Sequence, residues 1–472
     1  MSSQPNQQFA RVISPNAAEC DYVITDVEGE IPRELNGSLF RNGPNQHVQP
    51  AAGSEAMSFF EGDGMIRRVA LEDGKARFTS KYVPTESFLF ESAQGAYCMG
   101  GSNLAADTIN DSAPRRTLNN TNAVVHANKL LAMAENSAPF VLDPNTLEPR
   151  GEWDFGGKAS GPWTSAHPKL DPRTGQMVLH GYYTEAPYLQ LYIIDPDGTV
   201  SLSETMDAPW PTLFHDLAIS EHHAIVPLGS AVYKPERAIN STRQVWDCLE
   251  IDVSLNMRFG VRGREQGAQT RWLEAPTPGN IFHVGNAYER DGHIVLDACT
   301  YKNPAILGEA VRMRTSGGAD AFNPYLFIYE INLESGQISE TQLNDFPIEF
   351  PRIDDRFVAY ANRYVFATTG PGGESADASL RRVSRYDFQT NTFQHAPMID
   401  GRWVGEPVFV PRAADADEGD GFLLAFIFDA EREAAGLEIR DARHLESSAL
   451  ATLWFDERMP FDFHGNWVQR AA

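Results

Sequence analysis

The sequence predicts an all-β fold, and three observations support this prediction. Short runs rich in β-branched and aromatic residues recur along the chain, and their length and composition are typical of strands. Examples are residues 176–183, 189–194, 293–298, 325–331 and 421–428. Turn sequences containing glycine, proline, asparagine or aspartate separate such runs. They lie at 72–74, 143–146, 171–175, 195–198, 290–292, 334–336 and 387–391. No helical pattern recurs between the strands, which argues against parallel βαβ units.

An antiparallel array of hairpins is compatible with a sandwich, a large barrel or a propeller. The strand pattern continues over most of the 472 residues without an evident linker. This favours a propeller, because radial repetition lets an all-β domain grow without long exposed edges. The sequence contains no strict repeat, so the pattern alone does not predict the number of blades. We expect residues 1–20 to form a flexible N-terminal arm and residues 21–472 to form a single domain.

Composition and charge exclude several classes of function. The net charge of −25 argues against binding to nucleic acid phosphates or to anionic lipid. Cys20, Cys98, Cys248 and Cys299 lie far apart without a CxxC spacing, which argues against a zinc cluster and a disulfide framework. The N-terminus has no apolar signal segment, and the longest apolar run, 422–428, is far shorter than the roughly 20 residues of a membrane span. We therefore expect a cytoplasmic protein without a transmembrane segment.

Four of the twelve histidines differ from the others in their local sequence. Eight lie in polar or alternating stretches typical of surface or hydrogen-bonded imidazoles: His47, His126, His180, His222, His223, His293, His395 and His444. The other four stand beside apolar residues, and three of them directly follow phenylalanine: His167, His215, His283 and His464. Such a histidine is either a hydrogen-bonded core residue or a metal ligand. Imidazole suits iron, copper, zinc and nickel, so these residues do not identify the metal.

Three glutamates lie inside or beside apolar runs: Glu135, Glu349 and Glu406. Each alone is typical of a turn or edge-strand carboxylate. Together with four imidazoles they have a shared chemical role, because a metal-bound histidine usually donates its second N–H to a carboxylate or carbonyl. Three carboxylates would also offset the charge of a buried divalent ion.

Many ordered motifs make the chain resemble the carotenoid cleavage oxygenases, a family that includes carotenoid and apocarotenoid dioxygenases, lignostilbene dioxygenases, isoeugenol-type monooxygenases and the vertebrate retinoid isomerohydrolase. The motifs are GEIPRELNGSLFRNGPN at 29–45, FEGDGM at 60–65, AHP at 166–168, FHD at 214–216, FHVGNAYE at 282–289, EFPRI at 349–353, GEPVFVPR at 405–412 and FHG at 463–465. The resemblance covers nearly the whole chain.

The resemblance implies a seven-bladed β-propeller whose loops form a cap over a metal site on the axis. It implies iron(II) held by His167, His215, His283 and His464. By the same resemblance, Glu135, Glu349 and Glu406 orient His215, His283 and His464 respectively, and His167 has no carboxylate partner. His464 lies eight residues from the C-terminus, so we expect the last strand to carry a ligand and to help close the ring.

The resemblance also implies a substrate site. Thr121 matches a position near an open coordination site, although a threonine bonded to its own backbone explains it equally well. We expect Phe59, Phe60, Tyr97, Phe282 and Phe463 to line an apolar tunnel, although aromatic residues in a β-core are more commonly packing residues. Relatives that cleave stilbenes and phenylpropenes pair a tyrosine with a lysine just before the first glutamate. Here Tyr97 matches the tyrosine, but the lysine position is Ala134.

The function that the resemblance implies is an iron(II)-dependent dioxygenase that uses O2 to cleave a C=C double bond into two carbonyl products. The loss of the lysine places a carotenoid or apocarotenoid ahead of a stilbene or phenylpropene such as resveratrol or isoeugenol. Uptake of so apolar a substrate implies transient contact with a membrane surface. Two alternatives are a propeller that serves only as a binding module and a hydrolase with calcium or zinc. Calcium is disfavoured because it prefers oxygen ligands.

Overall fold

A computed structural model describes most of the chain as strands. The described residues are 15, 19–48, 59–97, 116–135, 137–158, 164–234, 248–302, 323–371 and 380–470. Seven sheets of four or five antiparallel strands and one two-stranded sheet account for the strands in these ranges. We number the seven larger sheets as blades 1 to 7 in chain order.

Blades 1 and 7 have five strands each, in order from the outer edge inwards. Blade 1 consists of β1 (Cys20–Val23), β5 (Lys75–Tyr82), β4 (Gly64–Glu72), β3 (Gly37–Pro44) and β32 (His464–Gln469). Blade 7 consists of β2 (Val27–Gly29), β31 (Ala451–Trp454), β30 (Ala434–Asp441), β29 (Gly421–Asp429) and β28 (Arg402–Pro411).

The other five blades have four strands each, in order from the inside outwards. Blade 2 consists of β6 (Asn122–His126), β7 (Lys129–Met133), β8 (Phe140–Leu142) and β9 (Pro149–Glu152). Blade 3 consists of β10 (Lys169–Leu170), β11 (Met177–Tyr182), β12 (Leu189–Ile194) and β13 (Val200–Thr205). Blade 4 consists of β14 (Ala218–Ile219), β15 (His223–Leu228), β18 (Arg258–Gly263) and β19 (Arg271–Glu274).

Blade 5 consists of β20 (Asn280–Arg290), β21 (His293–Tyr301), β22 (Tyr325–Asn332) and β23 (Ile338–Gln342). Blade 6 consists of β24 (Ile348–Arg352), β25 (Tyr364–Thr369), β26 (Arg382–Asp387) and β27 (Thr392–His395). The two-stranded sheet, β16 (Ala231–Tyr233) with β17 (Leu249–Ile251), is inserted between β15 and β18 of blade 4.

Seven clusters of buried apolar side chains show that the blades form a closed ring. Each cluster joins two neighbouring blades, including blade 7 with blade 1. In the cluster between blades 7 and 1, for example, Val69 and Phe78 pack with Leu424 and Leu437. The core is thus divided among seven interfaces around an axis. The predicted seven-bladed propeller is confirmed, while the predicted cap of loops stays a prediction.

Strands from both ends of the described chain complete the first and last blades of the ring. β32 pairs with β3 in antiparallel register, with His464 opposite Asn42. β1 adds to blade 1 beside β5, and β2 adds to blade 7 beside β31. The last strand therefore carries a predicted ligand and also closes blade 1. The division into an arm of residues 1–20 and one domain is not tested by the described residues.

The predicted strands and turns agree with the structure. The five predicted runs are β11, β12, β21, β22 and β29, with ends that differ by a few residues. Two predicted turns join consecutive strands through two residues with positive φ: Asp73 and Gly74 (49° and 71°), and Asp291 and Gly292 (50° and 75°). These are the angles that tight hairpin turns require.

One α-helix, α1 (Glu86–Gln94), occurs within the described ranges and was not predicted. Thr85 caps its N-terminus by accepting a hydrogen bond from Phe88 N, and Gly95 ends it with a φ of 62°. No helix in the described part of the chain is long and apolar enough to cross a membrane. Cys20, Cys248 and Cys299 carry free thiols, and Cys98 lies outside the described residues.

Candidate metal centre

The inner strands of the propeller, or the residues just before them, bring the four predicted histidines together at the axis. His167 precedes β10 by two residues, and His215 precedes β14 by three. His283 lies in β20, and His464 is the first residue of β32. Two of the predicted glutamates also lie on inner strands, in β24 and β28, whereas Glu135 follows β7. Because inner strands surround the axis of a propeller, residues distant in sequence meet there.

The four histidines form one buried group. Their exposed fractions are 5 to 8%, and their ligand atoms all lie within 4.8 Å of one another. His215 Nε2 and His283 Nε2 are 3.2 Å apart. Metal–imidazole bonds of about 2.1 Å bring donor atoms within about 4.2 Å of each other, so a small contraction would place all four on one ion. Within the described ranges, this is the only group of at least three potential ligands close enough to share an ion.

His167 carries an unused polar atom at the centre of this group. Its Nε2 is buried and has no hydrogen-bond partner among the described residues. An unpaired buried nitrogen is costly unless something binds it. The arrangement therefore fits a metal ion, and four nitrogen donors fit a transition metal better than calcium or magnesium.

Burial favours neutral imidazoles at two of the four positions. It lowers the pKa of His464 to about 4, against the opposing effect of the Glu406 carboxylate. Burial and the three neighbouring histidines hold the pKa of His167 well below its ordinary value. At His283 burial also lowers the pKa, but the Glu349 carboxylate outweighs it and raises the pKa overall. A metal ion would compete with that proton for the ring.

Each of the three glutamates contacts one histidine. Glu135 Oε1 makes a short contact with His215 Nδ1. His283 Nδ1 lies 2.5 Å from Glu349 Oε2. His464 Nδ1 lies 2.9 Å from Glu406 Oε1. These are the same pairs that the sequence resemblance implies, and their role around a metal stays a prediction.

Glu406 also belongs to a network of buried charges that holds the closing strand. Its Oε2 accepts a hydrogen bond from Arg41 Nη1 at 2.8 Å and lies 3.2 Å from Arg352 Nη1. Arg41 also donates to the carbonyl of Phe463 at 2.7 Å, and Arg352 donates to the carbonyl of Gly465 at 2.8 Å. Burial opposes ionisation of Glu406, but Arg352, His464 and Arg41 together hold its pKa well below the ordinary value. The two arginines thus anchor the backbone on both sides of His464.

Aromatic rings pack against the histidines. Phe282 stacks on His215 with ring centroids 3.9 Å apart, and Phe350 stacks on His283 at 5.3 Å. Phe463 stacks with Phe60 at 5.3 Å. Phe60, Phe282 and Phe463 were predicted to line a substrate tunnel, and that role stays a prediction. The side chain of Phe59 lies outside the described residues.

Tyr97 and Thr121, two further predicted site residues, contact different neighbours. Tyr97 is half-buried beneath the guanidinium of Arg116, whose Cζ lies 5.3 Å from the ring centroid. The Thr121 hydroxyl donates to Asn120 Oδ1 at 3.0 Å, and the Thr121 carbonyl accepts a hydrogen bond from His464 N at 3.1 Å. The alternative of a threonine bonded to its own backbone does not describe this hydroxyl. Ala134 is buried directly before Glu135.

A cavity of about 370 Å³ reaches the histidine group. His167, His283 and His464 line it, together with Phe350 and with charged groups that include Lys169 and Arg352. The cavity was not predicted from the sequence. The cavity thus borders three of the four histidines.

Sequence reasoning missed several residues around the site, namely Arg41, Tyr182, Tyr301, Phe350 and Arg352. Phe350 has a φ of 56°, at a register shift in β24 between Glu349 and Arg352. Positive φ is uncommon for a bulky residue, and residues held in such strained conformations cluster at functional sites. The motifs that carry the resemblance contain Arg41, Phe350 and Arg352. Their positions in these motifs could therefore have identified them as residues of the site. Tyr182 and Tyr301 had no such signal.

Comparisons with known proteins agree with this geometry. The family described as "RPE65: Retinal pigment epithelial membrane protein" matches residues 13–469. The chain belongs to the carotenoid cleavage oxygenase family. Isoeugenol monooxygenase from Pseudomonas nitroreducens is 31% identical over 478 residues, with 98% of each chain covered. Carotenoid 9,10(9',10')-cleavage dioxygenase 1 from Pisum sativum is 29% identical over 480 residues, covering 94% of this chain and 86% of the relative. The crystal structure of lignostilbene dioxygenase from Pseudomonas brassicacearum superposes with a TM-score of 0.88 at 26% identity and full coverage of both chains.

Proposed function

We propose that this member of the family is a non-haem iron(II) dioxygenase that cleaves a C=C double bond of a conjugated apolar substrate into two carbonyl products. The observation that carries the proposal is the buried group of four histidines, three of which contact a glutamate. Iron(II) bound by His167, His215, His283 and His464 would supply the activation of O2. Iron(II) prefers six ligands, so an ion bound by four histidines would keep coordination positions open for O2.

The glutamates prepare the histidines for this role. A carboxylate that accepts the Nδ1–H of a histidine leaves the Nε2 lone pair directed at the metal. Glu135, Glu349 and Glu406 would each fix one ring in this way. Their negative charges would also offset a divalent ion in a buried site. We place Thr121 beside an open coordination position and Phe59, Phe60, Phe282 and Phe463 along an apolar path for the substrate.

The substrate that the site favours is a carotenoid or apocarotenoid. Ala134 provides no cation where phenol-cleaving relatives place a lysine. Burial raises the pKa of Tyr97 to about 12, against the lowering effect of Arg116. Tyr97 is therefore a neutral hydrogen-bond donor at physiological pH and cannot withdraw a proton from a phenol. A polyene requires no such proton transfer, because long conjugation makes it easy to oxidise.

A second candidate is the cleavage of a phenylpropene or stilbene. The similarity to an isoeugenol monooxygenase and to a lignostilbene dioxygenase favours it. Both candidates use the same metal centre and differ only in the substrate site. We further propose a single catalytic domain from residue 21 to 472, with O2 as co-substrate and transient contact with a membrane surface for substrate uptake.

The test is anaerobic reconstitution with iron(II), followed by exposure to O2 and a product screen. The substrates are a carotenoid, an apocarotenal, a hydroxystilbene and isoeugenol. The His464→Ala variant should lose turnover, whereas His223→Ala should retain it, because His223 is bonded to Glu289 and lies outside the four-histidine group. Carbonyl products that depend on iron and O2 support the proposal. Iron binding without any turnover would instead indicate a binding module.

A further inference from the structure

Each glutamate at the metal centre has a second carboxylate oxygen, and the three differ in what these oxygens contact. One oxygen of each faces the Nδ1 of a histidine. The other must also be satisfied, because a buried carboxylate oxygen without a donor is costly. At Glu406 the donors are two arginines and a backbone amide. At Glu135 and Glu349 the side-chain donor is a tyrosine.

The hydroxyl of Tyr182 donates to Glu135 Oε2 at 2.6 Å. Tyr182 is the last residue of β11 in blade 3 and is 5% exposed. Burial and the neighbouring carboxylate hold the pKa of Tyr182 well above its ordinary value, so the hydroxyl keeps its proton. A short hydrogen bond from a neutral hydroxyl to a carboxylate is strong and directional. It fixes the plane of the Glu135 carboxylate while leaving its charge in place.

A second tyrosine–glutamate contact of this kind occurs two blades further around the ring. The hydroxyl of Tyr301, the last residue of β21 in blade 5, donates to Glu349 Oε1 at 3.0 Å. Glu349 Oε2 accepts hydrogen bonds from His283 Nδ1 and from Phe350 N. Among the described residues, the hydrogen bonds to this carboxylate thus come from one histidine, one backbone amide and one phenol. None of these three donors carries a permanent charge.

A phenol and a guanidinium act differently on the histidine behind the carboxylate. A guanidinium neutralises the carboxylate and weakens its pull on the histidine N–H, whereas a phenol orients the carboxylate and leaves it anionic. His215 and His283 therefore face glutamates held by phenols. His464 faces a glutamate whose charge is shared with Arg41 and Arg352.

We propose that Tyr182 and Tyr301 are positioning residues of the metal centre, which hold Glu135 and Glu349 so that His215 and His283 bind the metal tightly. The inference rests on the proposed function, because it requires a metal at the four histidines. Neither tyrosine contacts the metal ligands in this role. Each acts only through its glutamate.

The experiment compares Tyr182→Phe and Tyr301→Phe with a matched control, Tyr329→Phe. Tyr329 is fully buried in blade 5, and its hydroxyl contacts Thr300 Oγ1 at 3.0 Å instead of a carboxylate. The probe is cobalt(II) added to metal-free protein, with affinity measured by competition with a chelating indicator and geometry followed by the visible absorption bands. Outer-sphere partners change metal affinity about 10- to 100-fold, and for groups one bond further away we expect about 3- to 10-fold weaker binding. The control should bind like the wild type.

A double-mutant cycle separates positioning from general packing. In a Glu349→Ala background, Tyr301→Phe should cause no further loss of cobalt affinity, because alanine has no carboxyl group for the Tyr301 hydroxyl to hold. An equal loss in both backgrounds, or unchanged affinity in both single variants, would overturn the inference. If wild-type protein binds no cobalt, the metal assignment itself fails and the inference fails with it. Thermal unfolding of the metal-free variants checks that each one folds.

Discussion

Replacing Glu349 by glutamine changes the charge of one metal-centre carboxylate and little else. Glutamine can keep an oxygen facing His283 Nδ1 and Phe350 N, now 2.5 and 2.7 Å from Glu349 Oε2, while its amide group meets the Tyr301 hydroxyl. The shape and the hydrogen bonds survive, so the loss is the difference between a charge-assisted and a neutral bond. That difference is about 1 to 2 kcal/mol, or about 5- to 30-fold in metal affinity at 1.4 kcal/mol per tenfold.

The assay for this prediction is iron(II) or cobalt(II) competition on metal-free protein, together with turnover after iron reconstitution. We expect both affinity and rate to fall, within or just below the roughly 10- to 100-fold range of outer-sphere partners, and similar losses for Glu135→Gln and Glu406→Gln. Glu289→Gln is the control, since Glu289 accepts a hydrogen bond from His223 at 3.0 Å, away from the four-histidine group. Wild-type affinity and rate in Glu349→Gln would refute the assigned role.

Two further predictions concern stability and substrate. Burial raises the pKa of the Asp297 carboxyl from 3.8 to about 7. The folded protein therefore holds the carboxyl proton more tightly than the unfolded chain does. The free energy of unfolding consequently falls as the pH rises from about 4 to about 7. When the pH is raised from about 5.5 to 8, the free energy of unfolding measured in urea titrations should fall by about 2 kcal/mol more in the wild type than in Asp297→Asn. The same pH dependence of this free energy in both proteins would contradict the prediction. Because Ala134 provides no cation for a bound phenol and the Arg116 guanidinium is already paired with Asp63 and Glu91, a 4-hydroxystilbene and its 4-methoxy analogue should be cleaved at rates within about tenfold, the effect of one pKa unit. Rapid cleavage that is lost on methylation would assign the protein to the phenylpropanoid-cleaving branch.

The local elements of the fold could be predicted from the sequence because they depend on local chemistry. Asp73-Gly74 and Asp291-Gly292 adopt positive φ angles that few other residue pairs tolerate, so hairpins were predicted at the right places. The number of blades depends on packing between sheets, and no strict repeat records that packing in the sequence. It was available only from the resemblance.

Part of the metal centre could also be predicted from the sequence, because buried histidines have a recognisable local context. A histidine next to an apolar residue, such as His215 or His283, is conspicuous because burying an imidazole requires a partner. Tyr182 and Tyr301 are not conspicuous, since a tyrosine at the end of a strand is ordinary. Their contacts with Glu135 and Glu349 span 47 and 48 residues and arise only when consecutive blades pack side by side. The strained conformation of Phe350 was likewise invisible before the register of β24 was known.

The most direct test of the metal centre is the iron content of protein reconstituted with iron(II) under anaerobic conditions. We expect about one iron per chain in the wild type. A variant with alanine at His167, His215, His283 and His464 should bind no specific iron, and each single variant should lose turnover. Stoichiometric iron and full activity in the quadruple variant would show that these histidines do not form the metal centre.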